Sequence, residues 1–207
     1  MTSTMLEQLS LVFLAPFEVT VERTLLAEPG PGEVQITSSI SAISPGTEML
    51  FYRGQVPEAM AVDETITALD GTFSYPLRYG YALVGTVTAV GPGADPSWLG
   101  RLVFTFAPHQ SHFVIAVENL VPVPEGLAAE DAVLLPFMET AVSFLMDGRP
   151  LIGENVVVFG QGVIGLLTVA LLASYPLGKL AAIDPIPLRR DWSGRLGAEV
   201  ALDPAAP

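Results

Sequence analysis

The chain has 207 residues, half of them apolar and 15% charged, with 9 basic against 22 acidic side chains and a net charge of -13. That length buries a real core as one large domain or two small ones, and the composition excludes a disordered chain. The negative balance repels phosphate backbones and anionic lipid, so nucleic acid is not an expected partner; the lack of cysteine excludes disulfides and thiolate metal sites.

The N-terminal stretch "MTSTMLEQLSLVFLAPFEV" has no basic flank, carries Glu7 early and breaks its short apolar run at Pro16. It is a poor signal peptide, and a cytoplasmic location is the expectation. From Leu11 to about Val123 the runs are short, rich in Val, Ile, Thr and Phe, and punctuated by Gly and Pro. "GEVQITSSISAI", "YALVGTVTAVG", "RLVFTF" and "SHFVIAV" are strand candidates, separated by turn signals such as "EPGPGE" and "GPGADP". A small β-barrel or a pair of packed sheets is predicted. "AAEDAVLLPFMETAVSFLMDG" has helical spacing, acidic residues early and Gly148 near its end, with Pro136 dividing it into two helices. The domain boundary is placed at 147, giving a β-rich domain over 1–147 and a second domain over 148–207.

Between Glu154 and Lys179 no charged residue occurs, a stretch long enough to span a bilayer. Its interior argues otherwise. Val156, Val157, Val158 and Phe159 are β-formers, "LLTVALLA" prefers helix, and the change falls at Gly160, Gly162 and Gly165. No cluster of Lys or Arg flanks the stretch, and a membrane partner is not expected.

These glycines spell G-x-G-x-x-G between a strand and a helix opened by Val163 and Ile164. In such a turn the first glycine permits the tight bend, the second admits a pyrophosphate and the third lets the helix pack closely. Helix N–H groups then face the anion. A second apolar strand, "KLAAID", ends on Asp184 at about the spacing from which a carboxylate accepts ribose hydroxyls and repels a 2'-phosphate. NAD is the expected cofactor, and Arg189 and Arg190 leave NADP open. A helix, "PLRRDWSGRLG", and a third strand, "EVALD", complete a strand-helix-strand-helix-strand pattern over 154–203.

The order of these segments resembles the medium-chain dehydrogenase/reductase superfamily, the alcohol dehydrogenase and quinone reductase group. "GEVQITSSISAISPGTEMLFYRG", "YPLRYGYALVGTVTAVG", "GRLVFTFAPHQSHFVIA" and "LVPVPEGL" resemble its GroES-like domain, and "VVVFGQGVIGLL" with "AAIDPIPLRRDWSGRLGAEVALDP" resembles the opening of its nucleotide domain. "AISPGTE" and "VFTFAPHQSHFV" are similar to the branch with bacteriochlorophyllide dehydrogenase-like proteins. The resemblance implies an α/β fold, a GroES-like β-barrel followed by a partial Rossmann domain (parallel βαβαβ). It also implies a nicotinamide-dependent oxidoreductase acting on a small molecule. It assigns Thr140 to a position beside the nicotinamide and Arg189 to the basic residue beyond the ribose acid. Family members continue with a second half of the nucleotide fold, so a fragment, a homo-oligomer or a partner chain supplying that half is expected.

The departures concern zinc. Zinc-dependent members place a ligand Cys before a Ser/Thr-Asp pair, a His-Glu after the next glycine and a later Cys. Here Ser44 stands at the first position, with Thr47 and Glu48 after it; Tyr81 and Ala82 stand at the second, and Pro136 at the third. Zinc takes thiolate, imidazole or carboxylate, and serine, tyrosine and proline supply none, so no zinc is expected. Another electrophile must then serve a carbonyl oxygen. Ser44, Thr47 and Tyr81 are the catalytic candidates, and Tyr52, His109 and His112 can also donate a hydrogen bond or a proton. Two other readings stay open: a nucleotide-binding or scaffold subunit without turnover, and a non-redox lyase or cyclase with His109 or Glu48 as acid/base.

Overall fold

The structure is a computed structural model that describes residues 6–56 and 74–205. The first five and last two residues lie outside the described residues, and with them the ends of the N-terminal stretch and of the closing "PAAP". The chain forms two compact units, Met1–Leu134 and Leu135–Pro207.

In the first unit, the apolar run at the N-terminus is a hairpin. Strands β1 (Glu7–Ala15) and β2 (Glu18–Leu25) pair antiparallel around Pro16 and Phe17, the latter at φ 64°. The interruption by Pro16 is therefore a turn. Five further strands, β3 (Glu33–Ser41), β4 (Leu83–Val90), β5 (Leu102–Thr105), β6 (His112–Ala116) and β7 (Val121–Pro122), form an antiparallel sheet in the order β6-β3-β4-β5-β7. Each quoted strand candidate here becomes a strand: β3 buries alternate residues at its start, whereas β4 and β5 bury consecutive ones and so contribute to both faces. Val34, Ile36, Leu83, Val87, Val103 and Phe113 make one core. Isolated bridges tie the hairpin to the segments before β6 and β4, from Ser10 to Gln110 and from Phe13 to Leu77. A short helix, α1 (Thr47–Tyr52), follows Pro45 and Gly46 where only a turn is legible in the sequence.

The second unit begins at Leu135, one residue before Pro136. The helical stretch divides into α2 (Ala129–Ala132) and α3 (Leu135–Gly148), with Pro136 in the first turn of α3, where its missing N–H costs nothing. Helix α3 packs on the following helix and so falls with the second unit, whereas the sequence pattern drew the boundary at 147. Strands β8 (Asn155–Phe159), β9 (Lys179–Ile183) and β10 (Val200–Leu202) run parallel in the order β10-β9-β8, connected by α4 (Val163–Leu172) and α5 (Pro187–Arg195). The uncharged stretch is thus a strand, a turn and a 10-residue helix. Among the described residues no helix is long and apolar enough to cross a membrane. One face of the sheet buries Val169, Leu172, Leu180 and Ala182 with Val156 and Val158 beside them, while Val157 and Phe159 on the other face are exposed.

Candidate functional site

Two constellations carry chemistry, one in each unit. In the second unit, the chain leaves β8 through Gly160 at φ 81°, a left-handed conformation that only glycine adopts without penalty. The Gly160 amide donates to the Ile183 carbonyl at 2.8 Å, so the turn is tied to β9. Gly162 caps α4 without a side-chain hydrogen bond, and nothing lies within 4 Å of a Cβ built on it. A Cβ on Gly165 would sit 1.9 Å from the Gly160 carbonyl oxygen, so the helix approaches the turn as closely as backbone permits. The first turn of α4, with Val163 and Ile164, therefore presents uncapped amides to open space, a geometry that fits a pyrophosphate.

Asp184 lies directly beneath that turn. Its Oδ2 accepts from the Gln161 amide at 2.7 Å and its Oδ1 from the Ile186 amide at 2.8 Å, and the side chain is only 2% exposed. The carboxylate clamps the glycine turn to the β9–α5 connection, with Arg189 beside Oδ2. Burial pushes its carboxyl up, but the Ile186 and Gln161 amides and the Arg189 guanidinium outweigh this and hold it below the usual carboxylate range. The two arginines separate in role. Arg190 is spent on the Asp184 carbonyl (2.7 Å) and on Asp203 (3.1 Å), whereas Arg189, 3.6 Å from Asp184 Oδ2, stays half exposed. Gln161, absent from the sequence candidates, is fully buried; its Nε2 donates to the Val158 carbonyl, and its Oε1 has no partner among the described residues. Thr140 turns its hydroxyl back to the Pro136 carbonyl at 3.1 Å within α3.

In the first unit the central group is Glu48, 3% exposed at the start of α1. Its Oε1 accepts from the Ser44 amide at 2.8 Å while its own amide donates to the Ser44 carbonyl at 3.2 Å, a reciprocal lock related to a capping box. Its Oε2 lies 2.8 Å from His109 Nε2, and His109 Nδ1 lies 2.8 Å from Ser41 Oγ. The histidine is held from both sides: its carbonyl accepts from Leu11 of β1, and its ring packs on Gly80, where a Cβ would stand 2.9 Å away. Gly80 also has a φ of 137°.

Of the catalytic candidates, Ser44 is buried and its hydroxyl accepts a long contact, 3.4 Å, from the Thr47 amide. Thr47 is exposed. Tyr81 packs edge-on against Tyr79 beside Phe51 and Phe13. His112 turns to Ser111 at 3.0 Å, so the two histidines serve different partners. Among the described residues no group of three His, Cys, Asp or Glu is placed to hold a metal ion. Ser41 is a residue that sequence reasoning missed, since a polar residue at a strand end carries no local signal.

No protein-family model matches the chain. It is 27% identical over 195 residues to D-guloside 3-dehydrogenase of Escherichia coli (strain K12), covering 88% of this chain and 55% of that protein. It is 26% identical to 2-desacetyl-2-hydroxyethyl bacteriochlorophyllide A dehydrogenase of Cereibacter sphaeroides, covering 76% of this chain and 50% of that protein. The crystal structure of the alcohol dehydrogenase rspB from E. coli CFT073, complexed with NADH, superposes with a TM-score of 0.77 at 20% identity, covering 96% of this chain and 63% of that one. The chain thus spans about half the length of the curated relatives it matches. Its fold matches part of the GroES-like plus Rossmann arrangement of the medium-chain dehydrogenases, and the relatives named above are dehydrogenases.

Proposed function

We propose that this chain carries the substrate domain and the adenosine-binding part of a zinc-independent, NAD-preferring oxidoreductase that interconverts a carbonyl or enone and its reduced form. The observation that carries the reading is the glycine turn: Gly160 left-handed, Gly162 open, Gly165 against the turn and Asp184 clamping it from below. Gly160, Gly162, Val163, Ile164 and Gly165 would hold the pyrophosphate, Asp184 and Arg189 the adenosine ribose, and Thr140 the nicotinamide side. The charge on Asp184 favours a free 2'-hydroxyl over a 2'-phosphate. When bound, the nicotinamide supplies or removes hydride.

The chain's own part is to bind, to exclude water and to serve the substrate oxygen. By the resemblance, Ser44, Tyr81 and Pro136 take the positions of the zinc ligands, which supports a polar side chain in place of a metal as electrophile. A homo-oligomer or a partner chain belongs to the same reading, as does a cytoplasmic location. Titrating NADH into the purified protein with fluorescence detection is the test: saturable binding, tighter than NADPH, is expected, and absence of binding would overturn the proposal. Metal analysis should find well under one zinc per chain, and one tightly held zinc would reverse the zinc-independent part.

A further inference from the structure

We propose that Ser41, His109 and Glu48 form one proton-transfer chain whose outlet, the Ser41 hydroxyl, exchanges a proton with the oxygen of a bound carbonyl or hydroxyl ligand. This rests on the oxidoreductase reading above for the identity of the ligand, and on geometry for the chain itself. Glu48 is 3% exposed and the His109 side chain 9%, while Ser41 is of intermediate exposure, so Ser41 is the least buried of the three. Burying an imidazole and a carboxylate costs solvation that an apolar pair would not incur. Here every polar atom of both side chains is matched: Glu48 Oε1 by the Ser44 amide, Glu48 Oε2 by His109 Nε2, and His109 Nδ1 by Ser41. Hydrogen bonds linked in series polarise one another in a low-dielectric interior.

The donor and acceptor roles follow from the carboxylate. Ionised Glu48 accepts only, so His109 Nε2 carries a hydrogen and donates it. In neutral His109 the Nδ1 lone pair then accepts from the Ser41 hydroxyl; in the imidazolium, Nδ1–H donates to Ser41 Oγ and frees the hydroxyl hydrogen. In reduction, the hydride pair for the substrate carbon would be supplied by a nicotinamide when one is bound. The substrate oxygen takes the Ser41 hydroxyl proton as Nδ1–H passes its own to Oγ. Neutral His109 remains, its Nε2–H still on Glu48, and solvent returns one proton. Oxidation runs the same transfers backwards, with the substrate hydroxyl proton ending on Nδ1. Acyl transfer at Ser41 is disfavoured, because the adjacent Ala42 amide is spent on the Ala82 carbonyl (2.9 Å) and offers no donor to an oxyanion. Ser41 would be the catalytic residue, and His109 and Glu48 positioning and relay residues.

Ring-nitrogen NMR on the full chain labelled with 15N-histidine tests this directly, since only two histidines are present. His112→Gln assigns them. The neutral His109 ring should be the Nε2–H tautomer, and Ser41→Ala should move the Nδ1 resonance while leaving Nε2–H in place; Ser41→Thr should restore it. Millimolar trifluoroethanol, a small acidic alcohol, should perturb Nδ1 of His109 saturably in the parent and in Ser41→Thr but not in Ser41→Ala. A neutral Nδ1–H tautomer, or an equal response to the alcohol in Ser41→Ala, overturns the relay. NADH titration of the same samples judges the redox reading separately: binding without the nitrogen response sinks the relay alone, and the nitrogen response without binding sinks the redox reading alone.

Discussion

Asp184 ties the glycine turn to the β9–α5 connection, and in the proposed site it would also meet the ribose. Replacing it by Asn removes a charge from two buried amide contacts, so a loss of about 1.5–3 kcal/mol in urea unfolding is expected. The sign of the pH dependence follows from its lowered carboxyl. A folded-state value below the unfolded one contributes stability that is fully present above the unfolded carboxylate range, about 4, and lost as pH falls through the folded value. The gap between parent and Asp184→Asn should therefore be constant from pH 6 to 8, on the order of that plateau, and shrink below about pH 4. A gap that widens on acidification would contradict the assignment. The same variant should weaken NADH binding and relax discrimination against NADPH. Gly165→Ala forces a methyl against the Gly160 carbonyl oxygen, 1.9 Å from an ideal Cβ. Overpacking of about 1–3 kcal/mol and loss of NADH binding are expected; unchanged binding would show that the turn is not the nucleotide site.

At the level of elements, the glycine turn was legible because each of its signals is local: strand formers, three glycines, then helix formers. Helix α1 and the β1–β2 hairpin were not, for opposite reasons. A six-residue helix is below the length at which periodicity is visible, and the hairpin's alternation was hidden inside a short apolar run interrupted by Pro16. The end of α3 offers a separate test. Arg149 follows Gly148 at φ 44°, its amide bonded to the Leu145 carbonyl at 2.9 Å, the place where a left-handed C-cap glycine is favoured. Arg149→Gly relieves about 1–2 kcal/mol of left-handed strain and loses one exposed side-chain contact to the Met146 carbonyl. A melting temperature raised by a few degrees is expected for this change, and a lowered one would show that the arginine's contact matters more than the strain.

For the whole molecule, the informative surface is the uncovered face of the parallel sheet. Phe159 is 75% exposed, Val157 47% and Phe144 54%, and all three line an open groove of about 360 Å³ between α3 and β8. Parallel sheets bury both faces, and apolar patches of this kind mark interaction surfaces. The protein should self-associate with rising concentration in light scattering, and Phe159→Lys should shift it towards monomer. A monodisperse monomer for the parent would remove the basis for an oligomer or partner. If the glycine turn and Asp184 form the adenosine side of the proposed site, ADP-ribose or AMP should compete with NADH nearly as well as NAD does; weak competition would mean that the nicotinamide end contributes more than these residues explain.

The amino-acid sequence by itself determined what depends on neighbours along the chain: the β-rich first part, the division of the apolar stretch at its glycines, the parallel strand-helix pattern and the carboxylate at the end of β9. Each rests on a period of two or near four, or on a turn residue whose backbone freedom is intrinsic. Tertiary structure alone decided which polar groups meet. His109 and Ser41 are 68 residues apart, and Glu48 lies 61 from the histidine. Nothing in their local windows distinguishes them from Ser44, Thr47 or Tyr81, because hydrogen-bond partnership in a β fold is set by strand register and by Gly80 yielding its side-chain volume to the histidine ring.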